Sequence, residues 1–175
     1  ALAHDPDISM KFRDGILWTS LGQKPDIWRE LAAWGRSLGL NDLLACESLN
    51  EASGRLGHFV KDKRMLIIVD DVWTPTHAAA FQIGGPHCAT LVTTRETSLA
   101  NAIAPTAKDV YTLPVLTSAY AIELLRCLAP NVVRTFEKEA LLLVSELDGL
   151  PLAIQVAGRL LNTEETQGRD IPSLF

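Results

Sequence analysis

Apolar and polar positions fall in blocks along this chain, and the blocks switch between two periods. The run Met65-Leu66-Ile67-Ile68-Val69 is unbroken and mostly branched, and it stops at Asp70-Asp71. A short continuous apolar run predicts a strand covered on both faces, as in a parallel sheet. Gly15 to Leu21, bounded by Gly22, predicts a second strand, and Ala89 to Thr94 a third that is also buried. Asp109 to Leu113, closed by Pro114, predicts a fourth. Between these runs the period lengthens. Ile27, Trp28, Leu31, Trp34 and Leu38 recur at helical spacing, with Pro25 near the start and Gly39 past the end. Ser48-Leu49-Asn50-Glu51 fits a capping box, and Leu49, Ala52, Leu56 and Phe59/Val60 form the stripe that follows it. Short helices are expected from Pro75 to Phe81, before the breaker Gly84-Gly85-Pro86, and from Ser98 to Ala104, before Pro105. Strands alternating with helices imply βαβ crossovers and a mostly parallel sheet.

After Pro114 only the helical period remains. Thr117 is a good N-cap, and Ala121, Leu124, Leu125 and Leu128 follow it until Pro130. Glu137 to Leu147 predicts a second helix, with Gly149 as its stop, and Pro151 to Leu161 a third. From Asn162 the chain is polar and expected to fray. The pattern therefore divides into an α/β part, 1–114, a helical part, 115–162, and a tail, 163–175.

Composition narrows the partners. Hydrophobic residues make up 47% and charged residues 21%, enough for a true core. The net charge of −5 comes with no basic patch or helix, which argues against direct nucleic-acid binding. No apolar run approaches the ~20 residues of a membrane span. Cys46, Cys88 and Cys127 are scattered, so neither a disulfide framework nor a zinc site is indicated, and a reducing cytoplasm suits free thiols. The start, Ala1-Leu2-Ala3-His4-Asp5, has no signal-peptide character and reads as the end of a helix whose beginning is missing. The four histidines share no ligand spacing, no G-x-S-x-G nucleophile elbow occurs, and the four tryptophans are expected in the core or at its rim.

The candidate chemistry lies at strand ends. A buried strand has no use for two carboxylates except at its carboxyl end, where open α/β sheets place their ligands. Two adjacent anions there call for a cation, and hydrated magnesium carrying nucleotide phosphates is the commonest. Asp70 would hold the metal through water and Asp71 would orient an attacking water. The competing structural reading makes Asp71 the N-cap of the helix at Pro75. Thr93-Thr94-Arg95 ends the next strand, so parallel pairing delivers it to the same edge. Hydroxyls and a guanidinium suit phosphate oxygens. Gly149-Leu150-Pro151-Leu152-Ala153 needs only a local meaning, Gly149 ending one helix and Pro151 starting the next.

Taken in order, these pieces resemble the NB-ARC domain of the STAND class of P-loop ATPases. Leu66 to Trp73 matches that family's Walker B strand, including the trailing Val-Trp; Leu91-Val92-Thr93-Thr94-Arg95 matches its sensor 1 strand; Gly149 to Ala153 is its GLPLA motif. Gly15 to Leu21 is similar to its second strand, and Leu113 to Leu116 to the crossing into its ARC1 subdomain. The resemblance implies a P-loop-type parallel sheet flanked by helices, followed by an ARC1-like helical subdomain. It implies an ADP/ATP switch with magnesium. Asp70 would ligate the metal, Asp71 would stand near the catalytic water, Thr94 would lie by the nucleotide, and Arg95 would sense the γ-phosphate. Pro151 would lie against the nucleotide at the hinge to ARC1. Such proteins hold ADP when closed, exchange it for ATP, self-associate, and activate fused effector domains, as in defence and cell-death signalling.

Two departures accompany the resemblance. No G-x-x-x-x-G-K-[ST] phosphate loop occurs in the 175 residues, and neither does the family's winged-helix region with its late His-Asp motif. The chain reads as a piece of a longer protein, without the family's first strand. That strand belongs between the strands ending at Thr94 and Leu113, and its loss leaves unpaired edges and a marginally stable fragment. Backbone amides of the loop supply most of a phosphate cradle. The parent is therefore expected to be a slow ATPase, and the 175 residues alone inactive. Two rival readings are a decayed scaffold that binds no nucleotide and an aspartate phosphoacceptor of receiver type. The latter needs a further strand-end Asp and a Lys that Thr94 and Leu113 do not offer.

Overall fold

The computed structural model describes residues 4–174. The chain divides into two compact units, residues 1–111 and 112–175. The expected helix end at Ala1 to Asp5 falls mostly outside the described residues. Within them, Asp5 opens a helix: its carboxylate accepts the Asp7 and Ile8 amides, and Pro6 takes the first position of α1 (Pro6–Lys11).

The first unit continues through β1 (Gly15–Ser20), α2 (Ile27–Ser37), α3 (Leu49–Val60), β2 (Met65–Asp70), α4 (Pro75–Ala79), β3 (Ala89–Val92) and α5 (Thr97–Ile103). The strands are parallel in the order β1-β2-β3, with Gly15 to Ser20 beside Met65 to Asp70, and Leu66 to Val69 beside Ala89 to Val92. Every residue from Met65 to Val69 is at most 5% exposed. Met65, Ile67 and Val69 point into the larger core with Leu31, Trp34, Leu56 and Phe81. Leu66 and Ile68 point the other way, onto Phe12, with Ile8 and Ile16 around them. Both faces of β2 are covered, so alternation would serve no purpose, and its sequence is accordingly unbroken.

Local chemistry sets the helix ends. Asp26 accepts the Arg29 amide at the start of α2, and Ser48 accepts the Glu51 amide at the start of α3. The expected capping box is only half made: the Glu51 carboxylate accepts the Glu47 amide at 2.8 Å instead of that of Ser48. Helix α2 is tied to the sheet by Thr19, which donates to Glu30 at 2.7 Å, and by the Trp34 indole, which donates to the Trp18 carbonyl at 3.0 Å.

Two further expectations change. β3 is not buried: Ala89, Thr90 and Leu91 are exposed, because β3 is the outer strand of the described sheet. Asp109 to Leu113 forms no strand. Among the described residues no segment pairs with it, so its backbone gains nothing from extension into a ladder. Asp109 instead accepts the Thr106 amide and hydroxyl in a tight turn, and Tyr111 stays 79% exposed. Trp18 is half exposed on β1, while Trp34 is buried.

The second unit holds α6 (Ser118–Leu128), α7 (Pro130–Thr135), α8 (Glu137–Glu146) and α9 (Pro151–Thr166). Pro130 does not merely stop α6; it begins α7 at the position where a missing amide costs least. Between α8 and α9 the chain reverses through Asp148 and Gly149, with φ of 51° and 65°. A Cβ on Gly149 would fall on the Leu116 carbonyl oxygen, so glycine is required. Leu125, Val132, Val144, Ile154 and Leu161 fill the core of this unit. The tail, expected to fray, is folded over much of its described part. α9 runs on to Thr166, Arg169 pairs with Glu164 at 2.6 Å, and Ile171 packs into the same core. No described helix is long and apolar enough to cross a membrane.

Ile67, fully buried at the centre of β2, reports on the first unit. Ile67→Ala lowers stability by about 2–5 kcal/mol, read as a fall in the urea midpoint; a loss below about 1 kcal/mol would contradict its central place.

Candidate functional site

Parallel pairing brings the carboxyl ends of the three strands to one edge. Backbone pairing runs on past the strands: Leu21 donates to the Asp70 carbonyl at 2.9 Å and Gly22 to that of Asp71 at 3.1 Å. On the other side Thr93 donates to the Val69 carbonyl at 3.0 Å, and Val72 to that of Thr93 at 2.9 Å. A concavity of about 360 Å³ opens there, lined by Ser20, Asp70, Asp71, Thr93, Thr94 and Arg95.

Both oxygens of Asp70 are engaged from neighbouring strand ends. Thr93 donates to Oδ1 at 2.6 Å, and Ser20 to Oδ2 at 3.3 Å. Asp71 turns the chain sharply, with φ of 54°, in the left-handed region that L-residues seldom occupy. Its amide donates to Thr93 Oγ1 at 2.9 Å. Its Oδ1 lies 3.5 Å from Arg95 Nε, and the Arg95 guanidinium also stands 5.9 Å above the Trp73 ring. Asp71 is not the N-cap of the next helix; that place belongs to Thr74.

Of the residues singled out from sequence, Asp70, Asp71, Thr94 and Arg95 therefore share one concavity. Thr94 lines it without a side-chain hydrogen bond to the acids; its hydroxyl accepts the Glu96 amide at 3.1 Å. Pro151 belongs to the other unit, exposed at the first position of α9. Ser20 was not singled out from sequence, and Thr93 only as part of the Thr93-Thr94-Arg95 motif without a role of its own, yet these two make the direct contacts to Asp70. The available signal was a hydroxyl at the end of each strand flanking the acidic one.

The donor set is all oxygen. Among the described residues no group of three or more His, Cys, Asp or Glu side chains is gathered to hold a metal. Two carboxylates without a cage fit magnesium, which keeps several waters and accepts one or two carboxylates alongside substrate phosphates. A second concavity, about 470 Å³, runs along the outer edge of β3 and is walled by Val69, Leu91, Val92, Ile103, Ala104 and Val110 among others.

The family model of the NB-ARC domain matches residues 2–133. The chain belongs to the NB-ARC family. It is 29% identical over 162 residues to apoptotic protease-activating factor 1 of Danio rerio, covering 86% of this chain and 12% of that protein. To the Rattus norvegicus protein of the same name it is 28% identical over 172 residues, or 93% of this chain and 13% of that protein. The chain thus spans about an eighth of the length of these relatives. NB-ARC domains are STAND-type nucleotide-binding signalling domains, and the parallel sheet with flanking helices agrees with that membership.

The Arg95 side chain is 77% exposed, and its pairing with Asp71 is long. Such pairs contribute little to folding. Arg95→Ala accordingly changes stability by less than about 1 kcal/mol in chemical denaturation; a larger loss would make Arg95 a structural residue and not one free to meet a ligand.

Proposed function

We propose that this chain is part of an ADP/ATP-dependent regulatory switch in which Asp70, Asp71 and Arg95 form the acidic and sensing half of a magnesium-nucleotide site. The observation that carries the reading is the convergence of two carboxylates and one guanidinium at the carboxyl edge of a parallel sheet, where such sheets take their ligands. Asp70 would hold magnesium through water, as the Walker B acid of the family does. Asp71 would accept a hydrogen bond from the water nearest the γ-phosphate. Arg95 would release Asp71 for phosphate oxygens, which its planar fork can meet in a bidentate way. Thr94 would line the phosphate side and Pro151 the nucleotide at the hinge. Residues 1–114 would supply the nucleotide side and 115–162 an ARC1-like lever. When bound, magnesium would neutralise phosphate charge.

The phosphate-cradling half is not in these 175 residues, which contain no G-x-x-x-x-G-K-[ST]. The open edge of β3 and the apolar cavity beside it support placing the family's first strand, and the loop that follows it, at that edge. The relatives' printed name, apoptotic protease-activating factor, supports a signalling role; a cytoplasmic location, self-association and fused sensor and effector domains in a longer protein are parts of the same proposal.

Calorimetry of the 175-residue chain with magnesium-ATP gives a Kd weaker than roughly 1 µM, and no hydrolysis is seen; tighter binding refutes the division of the site into halves. In a parent that carries the phosphate loop, Asp70→Ala lowers magnesium-nucleotide affinity or turnover by about tenfold or more. Unchanged turnover there would refute the role given to Asp70.

A further inference from the structure

One hydroxyl in the acidic concavity is shared by both carboxylate residues. Thr93 Oγ1 carries a single proton and two lone pairs. It donates that proton to Asp70 Oδ1 at 2.6 Å and accepts the Asp71 amide at 2.9 Å. These two bonds act on different things. The first fixes the rotation of the Asp70 carboxylate, whose other oxygen meets Ser20 at 3.3 Å. The second holds the backbone of Asp71 in the left-handed turn that aims its carboxylate toward Arg95. Thr93 is itself held by backbone bonds, from its amide to Val69 and from Val72 to its carbonyl. Its hydroxyl is thereby presented from a rigid strand end.

We infer that Thr93 is the positioning residue of this site: its hydroxyl orients Asp70 toward a divalent cation and fixes the turn at Asp71, with Ser20 as a longer, weaker second hold. The inference rests on the reading of Asp70 and Asp71 as a metal-nucleotide pair. It also explains the division of labour between the adjacent threonines, since Thr94 spends its hydroxyl on the local turn. Threonine and valine have the same shape, so Thr93→Val removes both bonds while leaving the backbone ladder intact. Thr93→Ser keeps the hydroxyl. Thr93 is exposed, so neither change empties a core.

Two readouts on the 175-residue chain test this. In amide hydrogen exchange, Thr93→Val speeds exchange at Asp71 by about tenfold, the worth of one hydrogen bond, leaves Val72 unchanged, and Thr93→Ser restores protection. In titrations with Mn²⁺ alone, followed by electron paramagnetic resonance, Thr93→Val weakens binding by about tenfold or more and Thr93→Ser restores it. Unchanged exchange at Asp71 in Thr93→Val overturns the inference whatever the metal does, as does Mn²⁺ binding lost on Asp70→Ala but kept in Thr93→Val. If Asp70→Ala binds Mn²⁺ as well as the unaltered chain, the metal reading fails instead, and the exchange result alone decides whether Thr93 fixes the turn.

Discussion

Parallel hydrogen bonding of β2 to a strand on each side is the constraint on which the rest of the first unit depends. A strand paired on both edges and covered on both faces leaves no polar backbone to solvate, which is why its five central residues can all be apolar. Parallel pairing also forces the carboxyl ends of neighbouring strands to coincide. The register that sets Ser20 beside Asp70 and carries Thr93 alongside is therefore fixed by the burial of Ile67 and Val69, well away from the site itself. A slip of one residue would turn the buried face outward and take the acids with it.

The charges sit where that constraint lets them sit. Within β2 a carboxylate would have to be desolvated; at its end Asp70 and Asp71 stay half-buried and find hydroxyl, amide and guanidinium partners. The balance is uneven, since two carboxylates face one guanidinium. The surplus negative charge and the all-oxygen donors are the features on which the proposed magnesium site rests.

Much of this was legible in the sequence, and the exceptions have physical causes. The β2 run, the stripes of α2 and α3 and the caps at Ser48 and Thr117 depend on local spacing, and each forms near its expected place. Membership of the NB-ARC family was likewise readable from motifs in order. Asp109 to Leu113 has strand composition and no strand, because pairing takes two segments and no described residue pairs with it. α7 was hidden because Pro130 reads equally as a stop and as a start. At the site, the acids and Arg95 could be named from residue type alone. The choice of Thr93 over Thr94 could not, since which of two adjacent hydroxyls faces β2 is decided by register and by the turn that Thr94 makes with Glu96.

The pairing of β1 with β2 also shapes how the first unit comes to exist. Its entry is fastened by Asp14, whose carboxylate accepts the Arg64 amide at 2.7 Å across a sequence separation of 50 residues. Closing so long a loop must precede any reward from the sheet, whereas α2 and α3 can form from neighbouring residues. Helices first and sheet afterwards is the order this topology favours. Until β1 reaches β2, the most apolar segment of the chain has no edge partner on that side, so the slowest stage of folding is also the one in which this chain is most exposed to its neighbours in solution.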